Sequence, residues 1–79
     1  MTTIESIKRR LENVIVGSCV FNKQDIAEAI KNFYVVFCNE VILTEYDILI
    51  IEYDDIILKF LLTWEKVGPR YTLKEMRII

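Results

Sequence analysis

The apolar residues of this chain repeat with one period before residue 40 and another after it, and that switch orders the fold: helices first, then sheet. Ile4, Ile7, Leu11, Val14 and Ile15 recur every three or four residues, the spacing that gathers them on one stripe of a helix over residues 3 to 15. Glu5, Lys8, Arg9, Glu12 and Asn13 fall on the opposite side. Thr2 followed by Glu5 has the form of a capping box, and Gly17 with Ser18 supplies the stop or opens the turn.

A second helix is predicted from Lys23 to about Phe37. Asn22 suits the N-cap because its side-chain oxygen can accept from an otherwise orphan amide, and Phe21 is placed to pack on Ile26 as a hydrophobic staple. Its apolar stripe is Ile26, Ala27, Ile30, Phe33, Tyr34 and Phe37, with Glu28, Lys31 and Asn32 outward. The aromatic and β-branched run from Tyr34 to Phe37 also suits a strand, so this helix end is the least defined boundary.

From Glu40 onward the period becomes two and β-branched content rises. Strands are expected at about 41 to 53 and 56 to 65, with a break near Glu45 to Asp47 that can divide the first. A two-residue loop at Asp54 and Asp55 sets Tyr53 opposite Ile56, Ile51 opposite Leu58 and Leu49 opposite Phe60, with Trp64 continuing that face. The other face then pairs Glu52 with Ile57, Ile50 with Lys59 and Ile48 with Leu61. Gly68 and Pro69 make the next turn, and residues 71 to 79 return as a strand or, by the spacing of Thr72 and Glu75, as a short helix.

The expectation is therefore a single α+β domain over residues 1 to 79, two amphipathic helices packed on a three- to four-stranded antiparallel sheet in the order ααβββ. With 53% apolar residues the chain can build a core, and two glycines and one proline leave little room for linkers. One sheet face is wholly apolar and the helices can cover it. The other is mixed, and Ile48, Ile50, Ile57 and Leu61 on it are candidates for self-association as a homodimer. A different register or a bent sheet would bury them instead.

Several chemistries are disfavoured by composition. The chain has no histidine, which removes the usual base near neutral pH, the Ser-His and Cys-His nucleophile pairs and most zinc sites. Isolated Gly17 and Gly68 cannot form a phosphate-cradling loop, and the acidic positions lack EF-hand spacing. No enzyme, metal or cofactor is expected. Carboxylates interrupt the long apolar stretch from Val41 to Trp64, which argues against a membrane span. The first residues, MTTIESIKRR, lack the apolar segment of a secretory signal, so a cytoplasmic protein with reduced, partly buried Cys19 and Cys38 is expected.

Charge is distributed unevenly along the chain. Residues 40 to 55 carry six acidic groups and no basic one, whereas residues 56 to 79 carry five basic and two acidic groups. Strung along one strand and its turn, the carboxylates would form a negative edge that attracts a protein partner with a basic surface. Glu45, Asp47, Glu52, Asp54 and Asp55 are the candidate charged contacts, and Tyr46, Tyr53 and Trp64 are aromatic anchors if the fold exposes them. Such charges also serve simply to keep a strand edge from aggregating. The expected function is a protein-binding regulator or inhibitor, of the general kind that phage and mobile elements direct against host nucleic-acid-binding proteins. Two alternatives are a DNA-binding regulator gripping through Lys8, Arg9 and Arg10, and a structural self-associating module. A net charge of −2 and the interleaved acids of the helices make nucleic acid the weaker partner.

Overall fold

The computed structural model describes residues 3–34, 40–53 and 55–79, and it orders the elements as α1 (Thr3–Ile15), β1 (Cys19–Val20), α2 (Gln24–Tyr34), β2 (Glu40–Leu43), β3 (Ile48–Tyr53), β4 (Ile56–Val67) and β5 (Arg70–Ile78). The α+β class holds. Two parts of the expected order are corrected: the sheet has five strands rather than three or four, and a strand stands between the helices.

Helix α1 buries the stripe its spacing defines, with Leu11 and Ile15 in the core and Ile4, Ile7 and Val14 packed against it. Lys8 pairs with Glu12 one turn on, at 3.0 Å. The helix ends where Gly17 takes φ +94°, a left-handed conformation that costs glycine no Cβ clash. Past that point the Gly17 amide donates to the Leu73 carbonyl at 2.8 Å and the Leu73 amide to the Ser18 carbonyl at 3.0 Å. These bonds lay Cys19 opposite Thr72 and Val20 opposite Tyr71, creating β1. Two residues are too few to carry a period, which is why the sequence does not announce this strand.

At the start of α2 the Asn22 side-chain oxygen accepts from the Gln24 amide at 3.0 Å, as an N-cap should. The expected staple is absent: Phe21 is 61% exposed and lies under the Arg70 guanidinium, 4.4 Å from the ring centroid, rather than on Ile26. Ile26, Ala27 and Ile30 are buried as the stripe requires. The capping residue Thr2, Phe37, Cys38, and the side chains of Phe33 and Tyr34 lie outside the described residues. Cys19 is a free thiol and is exposed, where partial burial was expected.

The sheet runs β1-β5-β4-β3-β2, antiparallel throughout. The β3–β4 hairpin has the register its alternation predicts, from Tyr53 opposite Ile56 to Ile48 opposite Leu61. The first expected strand is indeed divided. Thr44 caps the turn between β2 and β3, its hydroxyl accepting from the Tyr46 and Ile48 amides, and the Asp47 amide donates to the Thr44 carbonyl at 3.1 Å. Asp47 then adopts φ +64°, the left-handed position that closes a three-residue hairpin loop and that aspartate tolerates better than most residues.

Residues 70 to 78 form a strand, not a helix, and its pairing with β4 slips at Thr63 and Trp64: Thr63 faces Glu75, while Trp64 faces Leu73. Lys74 is the extra residue. Strict alternation would turn Leu73 and Met76 to opposite faces, but the bulge lets both point inward, and both are buried. One face of the sheet is thus closed by α1 and α2 over Val41, Leu43, Leu49, Ile51, Leu58, Phe60, Leu62, Leu73 and Met76. No helix among the described residues is long and apolar enough to cross a membrane.

Candidate contact surface

Both helices cover the same side of the sheet, so the side chains that alternate with the core residues face away from them. Three registered rows can be read across β2, β3 and β4: Glu40, Glu52 and Ile57; Ile42, Ile50 and Lys59; then Ile48 and Leu61, with Arg77 beyond on β5. Ile57 is 62% exposed and Ile42 44%, while Ile48, Ile50 and Leu61 are half-buried by their neighbours. All four residues singled out for self-association therefore stand together on one uncovered face.

Ile42 belongs to the same surface and escapes the sequence reading. Val41, Ile42 and Leu43 are all apolar, so alternation cannot say which of them points out. The pairing of Ile42 with Ile50 through the β2–β3 hairpin decides it. β2 is the edge strand at this side of the sheet. Its Leu43 carbonyl accepts from Gln24 Nε2 at 2.9 Å, so the start of α2 ties down part of that edge.

The acidic block does not form one continuous edge. β3 lies inside the sheet, second from the end, and its six residues separate the carboxylates by about 17 Å. Glu45 and Tyr46 are exposed in the β2–β3 turn at one end. Glu40, Glu52 and Asp55 gather at the other, with Glu40 directly opposite Glu52 on the uncovered face. Asp54 and the Tyr53 side chain lie outside the described residues. Asp47 is committed within the fold, because its carboxylate meets Lys23 Nζ at 3.1 Å.

Trp64 does not meet the condition of exposure set for an anchor, because it continues the covered face and packs partly against the core. It meets Tyr71 edge to face with ring centroids 6.4 Å apart, and Lys23 Nζ lies 5.5 Å from its ring and 5.0 Å from that of Tyr71. Its Nε1 is buried without a hydrogen-bond acceptor among the described residues. Lys66 approaches Tyr71 at 5.6 Å. This cluster of rings and cations joins the start of α2, the β2–β3 turn and the far end of the β4–β5 hairpin.

Of the basic residues on α1, Lys8 is paired with Glu12, while Arg9 and Arg10 are exposed. An open groove of about 500 Å³ between α1 and β5 is lined by Glu5, Lys8, Arg9, Glu12, Glu75 and Arg77 among others. Three acids alternate there with three bases, which is not the one-signed track that a phosphate backbone selects. Among the described residues no three or more acidic or cysteine side chains are placed to hold a metal ion.

No family model matches the chain, and neither a curated protein nor a solved structure shows significant similarity to it.

Proposed function

We propose that this chain is a non-enzymatic protein-binding module that works through the uncovered face of its sheet. The observation that supports this reading is the grouping of Ile42, Ile48, Ile50, Ile57 and Leu61 on a face that neither helix covers. Aliphatic side chains gathered on a strand surface contribute little to a lone chain where they meet water, and they gain when a second surface removes that water. Lys59, Arg77, Glu40 and Glu52 around them supply a polar rim, the usual anatomy of a recognition patch.

A blocking role against a basic surface, such as that of a nucleic-acid-binding protein in the cytoplasm, is a second version of the same reading. Glu40, Glu52 and Asp55 favour it, since three carboxylates at one end of the face would steer a basic partner onto it.

The test uses immobilised wild-type protein and the variant Ile42→Arg/Ile57→Arg, each offered host lysate together with a separately tagged copy of the chain. Circular dichroism confirms that both are folded. Proteins held by the wild type and lost by the variant are the expected result. Equal retention by both would remove the sheet face from consideration.

A further inference from the structure

We infer that the occupant of the uncovered sheet face is a second copy of this chain, docked face to face about a two-fold axis. The inference rests on the reading of that face as a contact surface and adds the identity of the partner.

The charge layout carries it. Around the apolar centre the acids stand on β2 and β3, with Glu40 opposite Glu52, and Glu75 lies one step further out, beyond Arg77 on β5. The bases stand on β4 and β5, with Lys59 opposite Ile50 and Arg77 opposite Leu61. The line from Ile57 to Ile48 runs diagonally between the two groups. A two-fold axis lying in the face along that line exchanges its sides, so the acidic side of each copy meets the basic side of the other. The interface is then self-complementary, as a closed symmetric dimer requires. The axis itself is lined by Ile48, Ile50, Ile57 and Leu61, which supply the water-excluding centre.

The dimensions allow it. A stable interface needs about 800 Å² from each partner. The twelve residues of β4 span about 40 Å, and this matches the longest dimension of the molecule, 38 Å, with 22 Å across. Any side that contains this long axis, the outer side of the sheet included, has an outline of about the size required.

A charge-exchange experiment separates this arrangement from any other use of the face. Light scattering across the micromolar range should give the wild type twice the mass of one chain. E40K/E52K makes the four charges nearest the apolar centre all basic and K59E/R77E makes them all acidic, so each alone should dissociate about tenfold more readily or worse. An equimolar mixture should recover a dimer containing one of each, since every contact among these charges is again between opposite signs. Ile57→Arg, at a position open to solvent in the single chain, should abolish the dimer while leaving the fold intact.

A wild type that stays monomeric throughout overturns the proposal. So does a mixture of the two charge variants that fails to pair, or an Ile57→Arg protein that dimerises like the wild type. A monomeric wild type that still loses another bound protein on the Ile42→Arg/Ile57→Arg change overturns only the second-copy inference and leaves the contact face standing.

Discussion

Lys23 Nζ lies 3.1 Å from Asp47 Oδ1, although the two residues are 24 positions apart in the chain. The pair fastens the first turn of α2 to the β2–β3 turn, and the same ammonium lies over the rings of Trp64 and Tyr71. Lysine at a helix start is unfavourable to the helix dipole, so its presence there is offset by what surrounds it. About a third of each of the two side chains remains exposed, which limits the ion pair to well under 1 kcal/mol after screening. Each ring contact adds about 0.5 to 1 kcal/mol. Lys23→Ala should therefore cost about 1 to 2 kcal/mol in urea unfolding followed by Trp64 fluorescence. Lys8→Ala, which loses a single pair within one helix, should cost only about 0.3 to 0.5 kcal/mol. Equal costs would mean that the Lys23 cluster holds nothing.

Asp47 serves the fold twice, by pairing with Lys23 and by accepting φ +64°. Two substitutions separate these roles. Asp47→Asn keeps a side chain that tolerates the left-handed region and removes only the charge, so it should cost under about 1 kcal/mol. Asp47→Val removes the charge and forces a β-branched residue into that region, adding about 1 to 2 kcal/mol. Thermal unfolding of both variants at low and high salt checks this: salt should narrow the gap between wild type and Asp47→Asn, and leave the gap between the two variants.

Phe60 and Ile57 lie on the same strand with opposite faces, one fully buried and the other largely in water. Phe60→Ala should cost about 3 to 5 kcal/mol through the cavity it leaves. In the monomer, Ile57→Ala should stay within about 0.5 kcal/mol. A larger cost at Ile57 than at Phe60 under monomeric conditions would mean that the register is wrong by one residue, because such a slip exchanges the two faces.

The two-period pattern made much of this legible in the sequence. The helix stripes, the β3–β4 register and the uncovered face all follow from spacing and a two-residue turn, both local properties. What was not legible depends on distant partners. β1 exists because Gly17 and Ser18 bond to Leu73, and two residues carry no period of their own. Phe21 had a suitable neighbour at Ile26 but lies against Arg70, brought near by the β4–β5 hairpin. The acidic run looked continuous because sequence distance hides strand order, and only the folding of β2 onto β3 shows that its carboxylates divide between two ends.

Gly68 is the first residue of the two-residue loop between Val67 and Arg70 and has φ +60°, as a type II′ turn requires. An added Cβ there would meet nothing within 4 Å. The cost of Gly68→Ala is therefore confined to the backbone, about 1 to 2 kcal/mol. The fold and core packing should be unchanged, which amide spectra would report as shifts limited to the hairpin end. Changes spreading to Leu62 or Met76 would contradict this account of the turn.

The bulge in β5 yields the sharpest test of how that strand is built. Lys74 is the residue without an opposite number between the Thr63–Glu75 and Trp64–Leu73 pairs. Deleting it makes the ladder regular while Glu75 still points out and Leu73 still points in. The loss is then the exposed Lys74–Glu65 ion pair, worth little, and some local twist. Inserting one alanine after Thr63 also makes the ladder regular, by giving Lys74 an opposite number. That alanine takes the inward position, however, and turns both Trp64 and Leu73 to the other face. Leu73 alone loses about 1.5 to 3 kcal/mol of burial, and Trp64 leaves Tyr71 and Lys23 as well. The deletion should thus unfold within about 1 kcal/mol of wild type with unaltered Trp64 emission. The insertion should be several kcal/mol less stable, with emission shifted toward that of tryptophan in water. A deletion as damaging as the insertion would show that the bulge has a role beyond keeping Leu73 and Met76 on one face.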